Sequence, residues 1–210
     1  RRIAGSIFMS QHRYGNAIDI SMTDGVSSRE KSNSVNLQER KKSAEEASSF
    51  LGFSWAHCYD FSDNKLDSYP LLEIVKCIEN SKNKYKPTMV YTHSSSDLNI
   101  DHRVLTNAVI TAFRPQPKEN CREIRLFEVP SATDYGINSI HGTFTPNLFI
   151  ELKVKNWEAK LKALNSYKKE IKEFPHTRSI ESIKNLAKLR GNQIGLPMAE
   201  AFQIIRKIDF

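Results

Sequence analysis

The chain of 210 residues and 24.1 kDa carries a formal net charge of +7, with 39% hydrophobic and 26% charged residues. Those proportions describe an ordinary globular protein, long enough to bury a sizeable core as one domain over residues 1–210. They exclude a membrane span, since no apolar run approaches the roughly 20 residues a bilayer requires, and lysines interleaved with glutamates describe solvated helix faces, not a nucleic-acid surface.

Arg1 and Arg2 lead into a short apolar patch, Ile3 to Met9, interrupted by Gly5 and Ser6. It lacks the cleavage pattern of an export signal, so a cytoplasmic chain is expected. Residues 2–14 read as a helix stopped by Gly15-Asn16, and Ala17 to Met22 alternates with the period of a strand. After a polar turn from Thr23 to Arg29, Asn36 with Glu39 three residues on offers the N-cap of a helix closed by Leu51-Gly52. Phe53 to Tyr59 is a short aromatic strand, and Pro70 to about Asn80 a helix with Leu71, Ile74, Val75 and Ile78 on one face. Pro87 to Thr92 is the next strand, Asp101 to Phe113 a helix stopped by Pro115, and Arg122 to Val129 a further strand. An irregular stretch from Gly136 to Thr145 precedes a strand over 147–154. Two helices follow, from Asn156 to Phe174 and from Ser179 to Arg190. The first carries a core stripe of Trp157, Leu161, Leu164, Tyr167 and Ile171.

Helices separating apolar strands predict an α/β fold: a mostly parallel sheet with helices on both faces and ligands at the carboxyl ends of its strands. The polar loops at Asp24 and at His93 fall at such ends. The three cysteines, Cys58, Cys77 and Cys121, are widely spaced among apolar residues, which suits reduced core thiols and neither disulfides nor a Cys-type zinc site.

Of the six histidines, His93, His102 and His176 lie in loops or at element ends. His102 sits beside Asp101, with His93 and Asp97 just upstream, so imidazoles and carboxylates converge at one ligand crevice. Zinc takes such ligands, and a hydrolytic zinc site keeps three protein groups plus a water. The structural reading is that Asp101 caps its helix and His102 belongs to the first turn. Asp24 is equally readable as a crevice residue or as a turn residue bonding its own loop. Arg40 and Arg178 carry forked donors suited to phosphate or sugar, though each singly also reads as a solvated charge. His57-Cys58-Tyr59-Asp60 reads as structural, because strand alternation sends neighbouring side chains to opposite faces.

The string Thr92-His93-Ser94-Ser95-Ser96-Asp97-Leu98-Asn99-Ile100-Asp101-His102-Arg103 resembles the second metal motif of the LmbE/PIG-L deacetylases. Ordered companions agree: Thr23-Asp24-Gly25, Arg40 through Ala47 to Leu51-Gly52, Phe127-Glu128-Val129-Pro130-Ser131, and Phe174-Pro175-His176-Thr177-Arg178-Ser179. The resemblance implies a Rossmann-like fold and zinc-dependent removal of an N-acetyl group from a GlcNAc-type amino sugar, linked to lipid, phosphate or nucleotide. It makes His102 a zinc ligand and Asp101 the carboxylate that orients a catalytic group. Asn99 stands where other branches carry a histidine that steadies the oxyanion, a role open to Asn99 itself, His93 or His176. Arg40 matches a substrate-contacting arginine, but the glutamate that accompanies it three residues on is Ser43 here; Asp24, His176 and Arg178 join it as substrate-side residues.

One departure is larger. The family begins with a strand ending in His-Pro-Asp-Asp-Glu, which brings two zinc ligands and the general base, and no such string occurs in the 210 residues. A chain with the sheet's first strand absent and a single histidine ligand is expected to be inactive or nearly so. The other reading is a non-catalytic sugar or sugar-nucleotide binding protein of the same fold. An unrelated nucleotide-binding domain is disfavoured, because neither glycine-rich phosphate motif is present. Assembly as a homo-oligomer stays open.

Overall fold

In the computed structural model, the described residues are 18–25, 27, 34–136 and 138–209, and the helix expected over residues 2–14 lies outside them. The chain divides into two compact units, one built from residues 1–63 and 149–201, the other from 64–148 and 202–210. Strands alternate with helices, and the fold is α/β as expected.

In the first unit, β1 (Ile18–Thr23) runs parallel to β2 (Ser54–Phe61), joined by α1 (Ser34–Leu51). A parallel pair needs such a crossover, because a short turn cannot bring the chain back in the same direction. The helix starts two residues ahead of the expected cap at Asn36. Ala47 and Leu51 of α1 enter a core with Phe53, and with Trp157, Ala163 and Leu164 from α5 (Val154–Asn165). Ile183 and Ala187 of α6 (Ile180–Asn192) complete it. Of the predicted stripe, Trp157, Leu164 and Tyr167 are buried and Ile171 packs against the cluster, although the helix ends at Asn165 rather than at Phe174. There the bonding tightens from α to turn type: Tyr167 N–H donates to the Leu164 carbonyl and Glu170 N–H to that of Tyr167.

The second unit holds α2 (Leu71–Tyr85), β3 (Met89–His93), α3 (Ile100–Ala112) and β4 (Glu123–Phe127). Ile74, Val75 and Ile78 of α2 are buried as the periodicity predicts, whereas the helix continues past Asn80 to Tyr85. It stops where Lys86 turns left-handed at φ 45° and Pro87, with no N–H to give, forbids another turn. β3 lies parallel to β4, from Met89 opposite Glu123 to His93 opposite Phe127. On its other side β4 pairs antiparallel with β6 (Ala199–Lys207). Sequence periodicity left that last strand unread: Ala199-Glu200-Ala201-Phe202 is buried at every position, so it shows no alternation. β6 gives its first three residues to the first unit and the rest to the second. β5 (Leu148–Glu151) adjoins it, and a short helix, α4 (Asn138–His141), occupies the stretch expected to be irregular. Among the described residues the strands form two separate ladders, β1–β2 and β3–β4–β6–β5.

The cysteines correct one expectation: Cys121 is buried, Cys77 is partly so, and Cys58 is exposed. Cys58 shares an outward-facing strand with His57, whose ring lies 4.2 Å from that of Tyr59, as the structural reading of that string has it.

Candidate functional site

β3 delivers the motif. Its last two residues, Thr92 and His93, are buried, and the chain then makes a short loop into α3 instead of continuing the ladder. The loop carries its own bonds: Ser94 Oγ meets Ser96 Oγ at 2.7 Å, and Asp97 N–H donates to the Ser94 carbonyl. Arg103 reaches back from the helix and donates to the carbonyls of Asp97 and Leu98 at 2.7 and 2.5 Å. A loop so tied holds whatever side chains it bears in fixed directions.

The helix begins on Asn99, whose Oδ1 accepts from the backbone N–H of Asp101 at 2.9 Å and of His102 at 3.3 Å. The cap is therefore Asn99, not Asp101. Asp101 turns its carboxylate elsewhere: its oxygens accept from the backbone N–H of Asn64 at 2.6 Å and of Leu66 at 2.9 Å, clamping the turn that follows β2. The carboxylate that meets His102 is that of Asp97. Its Oδ2 lies 2.7 Å from His102 Nδ1, and the pair is almost wholly buried, with 0% and 6% of the side chains exposed. Burial pushes the His102 pKa below its ordinary value, the Asp97 contact opposing that shift without overcoming it.

His93 packs on the other side of this pair. Its ring stacks on that of His102 with centroids 3.9 Å apart and planes 20° from parallel, and Phe127 closes in at 4.7 Å. Lone pairs of imidazole nitrogens lie in the ring plane, so two nearly parallel rings send theirs side by side, not towards one ion. A zinc centre needs three converging protein groups. Among the described residues no such group of His, Cys, Asp or Glu is found. What fits zinc here is one imidazole backed at Nδ1 by a carboxylate, the usual support of a zinc-bound histidine; the set as a whole does not fit.

The remaining predicted residues belong to the first unit. Asp24 accepts from Ser27 N–H at 3.0 Å, and its own N–H donates to the Phe61 carbonyl at 3.0 Å, which ties the β1 turn to β2. Gly25, at φ 71°, sits in the left-handed region that this turn demands. Arg40 and Arg178 come together on Glu170, a residue that no motif singles out. Glu170 Oε1 accepts from Arg40 at 3.1 Å and Oε2 from Arg178 at 3.2 Å. The Arg40 guanidinium also lies 5.0 Å from the centre of the Tyr167 ring. His176 Nδ1 accepts from Arg178 N–H at 3.0 Å. The carboxylate that holds Arg40 thus lies 130 residues downstream of it in the chain. Helical spacing from Arg40 holds no signal for so distant a partner.

Several solved structures share this architecture. An N,N'-diacetylchitobiose deacetylase from Pyrococcus horikoshii superposes with a TM-score of 0.68 at 21% identity, over 90% of this chain and 72% of that one. The zinc-inhibited form of a teicoplanin deacetylase, Orf2, gives 0.72 at 14% identity, over 99% and 95%. A 4-carboxy-2-hydroxymuconate hydratase, GalB from Pseudomonas putida KT2440, gives 0.70 at 16% identity, over 99% and 91%. At such identities these likenesses speak for the fold alone, and the hydratase makes plain that the fold carries more than one reaction. No curated protein sequence matches the chain. The family model described as GlcNAc-PI de-N-acetylase matches residues 3–113, more than half of the chain and inclusive of the whole 92–103 string. The chain belongs to the PIG-L family.

Proposed function

We propose that this protein is a hydrolase that cleaves the acetamide of a GlcNAc-type amino-sugar conjugate, water adding across the C–N bond to give acetate and the free amine. The observation that carries this reading is the buried Asp97–His102 pair inside the family-matched segment. Zinc, held by a ligand set of which these residues supply one member, would polarise the carbonyl and activate the water of such a hydrolysis. His102 would be one of its ligands through Nε2, with Asp97 orienting the ring. Asn99, Asp101 and His93 serve the same end of α3: Asn99 as the cap with an amide left for an oxyanion, Asp101 through the 64–66 turn, and His93 through its stack on His102. In the first unit, two guanidinium groups share the Glu170 carboxylate, and their forked donors suit a phosphate on the substrate. Arg40, Arg178, His176 and Asp24 are the proposed substrate-side residues.

No His-Pro-Asp-Asp-Glu string occurs in the 210 residues, so this chain by itself is proposed to turn over poorly. The same observation, with no three-ligand set among the described residues, favours a second reading as a sugar-binding protein without catalysis. The test is zinc content together with acetate release from GlcNAc, from its 1-phosphate and from a nucleotide-linked conjugate, with His102→Ala as control. Turnover that disappears in His102→Ala supports the hydrolase. Saturable sugar binding with neither zinc nor acetate release supports the second reading and sinks the first.

A further inference from the structure

Asp97 makes a second contact, with a residue outside the 92–103 string. Its Oδ1 accepts a 2.5 Å hydrogen bond from Thr133 Oγ1, a residue of the turn that follows β4. Val129 N–H donates to the same Thr133 oxygen at 2.7 Å. Towards a carboxylate, which has no hydrogen of its own, the Thr133 hydroxyl is the donor. Asp97 Oδ1 is thereby an acceptor, and Oδ2 faces His102 Nδ1 at 2.7 Å. With both oxygens of a carboxylate accepting, the hydrogen in the second contact belongs to the imidazole: Nδ1 is protonated, and the lone pair sits on Nε2.

The turn bearing Thr133 is fastened to the motif loop independently of this hydroxyl. Leu98 N–H donates to the Ala132 carbonyl at 2.9 Å, and Gly136 lies so close that a Cβ there would stand 2.1 Å from the Ser96 carbonyl oxygen. The close approach at Gly136 and the bond at Ala132 hold Thr133 at hydrogen-bonding distance from Asp97.

We propose that Thr133 is a positioning residue which, through the chain Val129 N–H, Thr133 O–H, Asp97 and His102 Nδ1–H, sets the tautomer and direction of the His102 ring and leaves Nε2 as its donor atom. The role it serves rests on His102 being the functional ligand proposed above, but the tautomer itself does not. The experiment is therefore nuclear magnetic resonance on the metal-free protein, correlating the His102 ring nitrogens with their carbon-bound protons, at a pH well above the ordinary imidazole pKa of about 6.5. The wild type is expected to show Nδ1–H alone, with a downfield Nδ1 proton slow to exchange with water. Thr133→Ser, which keeps the hydroxyl, should retain both signals. Thr133→Val, equal in shape but without the hydroxyl, should lose the downfield proton to faster exchange with water. Finding Nε2–H in the wild type overturns the proposal, and that result needs no variant to fold. An unchanged proton in a folded Thr133→Val overturns it as well. Failure of acetate release would sink the hydrolase and leave the tautomer result standing.

Discussion

Asn99 separates two roles that the sequence alone leaves joined, one as helix cap and one as a group facing substrate. As the cap it accepts two backbone N–H groups, at 2.9 and 3.3 Å, the second on the residue that bears the candidate ligand. Asn99→Ala strands both donors in a first turn whose residues Asp101 and His102 are buried, so water replaces the lost acceptor poorly. Caps of this kind contribute about 1 kcal/mol, within a range of roughly 0.5–2, and the burial places this one in the upper half of that range. Asn99→Asp keeps the acceptor and adds a charge that a helix N-terminus favours, offset by Asp97 and Asp101 nearby. It should stay within about 0.5 kcal/mol of the wild type. Asn99→His, which restores the residue of other branches, should behave like the alanine variant in stability. Urea denaturation gives the free energies, and amide exchange at Asp101 and His102 reports the cap locally. An alanine variant within about 0.3 kcal/mol of the wild type, its two amides still protected, would refute the reasoning.

Three further outcomes follow from the ion pairs and the buried imidazole. Lys160 and Glu200 form a buried pair at 3.0 Å, so Lys160→Met, which removes the ammonium from that buried carboxylate, should cost about 3 kcal/mol or more in urea denaturation. The double change with Glu200→Leu should recover most of that loss, and a double variant no better than the single one would deny the pairing. Glu170→Gln should cost about 1–2 kcal/mol by weakening its bonds to both arginines. A double-mutant cycle with Arg40→Met should show coupling, whereas strictly additive effects would mean that the contact carries no energy. For pH, His102 has a lowered pKa in the folded chain, so below about 6.5 the unfolded chain takes up a proton that the folded one resists. Stability of the metal-free protein should therefore be full above that value and decline as pH falls from it towards the folded pKa. His102→Asn should flatten that part of the curve, and an unchanged slope in the variant would assign the proton uptake to another group.

The sequence made legible what obeys local rules. Ile74, Val75 and Ile78 of α2 and Trp157 and Leu164 of α5 were readable because each set repeats with the helical period that burial imposes. β6 was not, because a strand buried from Ala199 to Phe202 has no polar face to alternate with. At the site, the sequence sets Asp101 beside His102, but the carboxylate that meets the ring is that of Asp97. Asp101 is adjacent in sequence, but successive positions on a helix point about 100° apart, and its carboxylate leaves for the amides of Asn64 and Leu66. Asp97, five residues back, is returned to His102 by the loop, and nothing in spacing alone predicts that fold-back. Glu170 and Thr133 were out of reach for another reason: each meets its partner across more than thirty residues of chain, where only tertiary structure brings them together.

Most of the 92–103 string has a structural task beside the candidate ligand. Ser94, Ser96 and Arg103 shape and tie the loop, Asn99 starts the helix, and Asp101 holds a turn from a different part of the unit. His102 presents the ring nitrogen proposed as a ligand, His93 stacks on that ring, and Asp97 meets its Nδ1. A substitution at any of the supporting positions changes the direction of that one ring before it changes any chemistry, because the ring is buried and has no solvent to relax into. The same division assigns the energetics: loop and cap variants should register first in stability and in the His102 resonances. Loss of turnover without either of those changes points to His102 itself or to residues that meet the substrate.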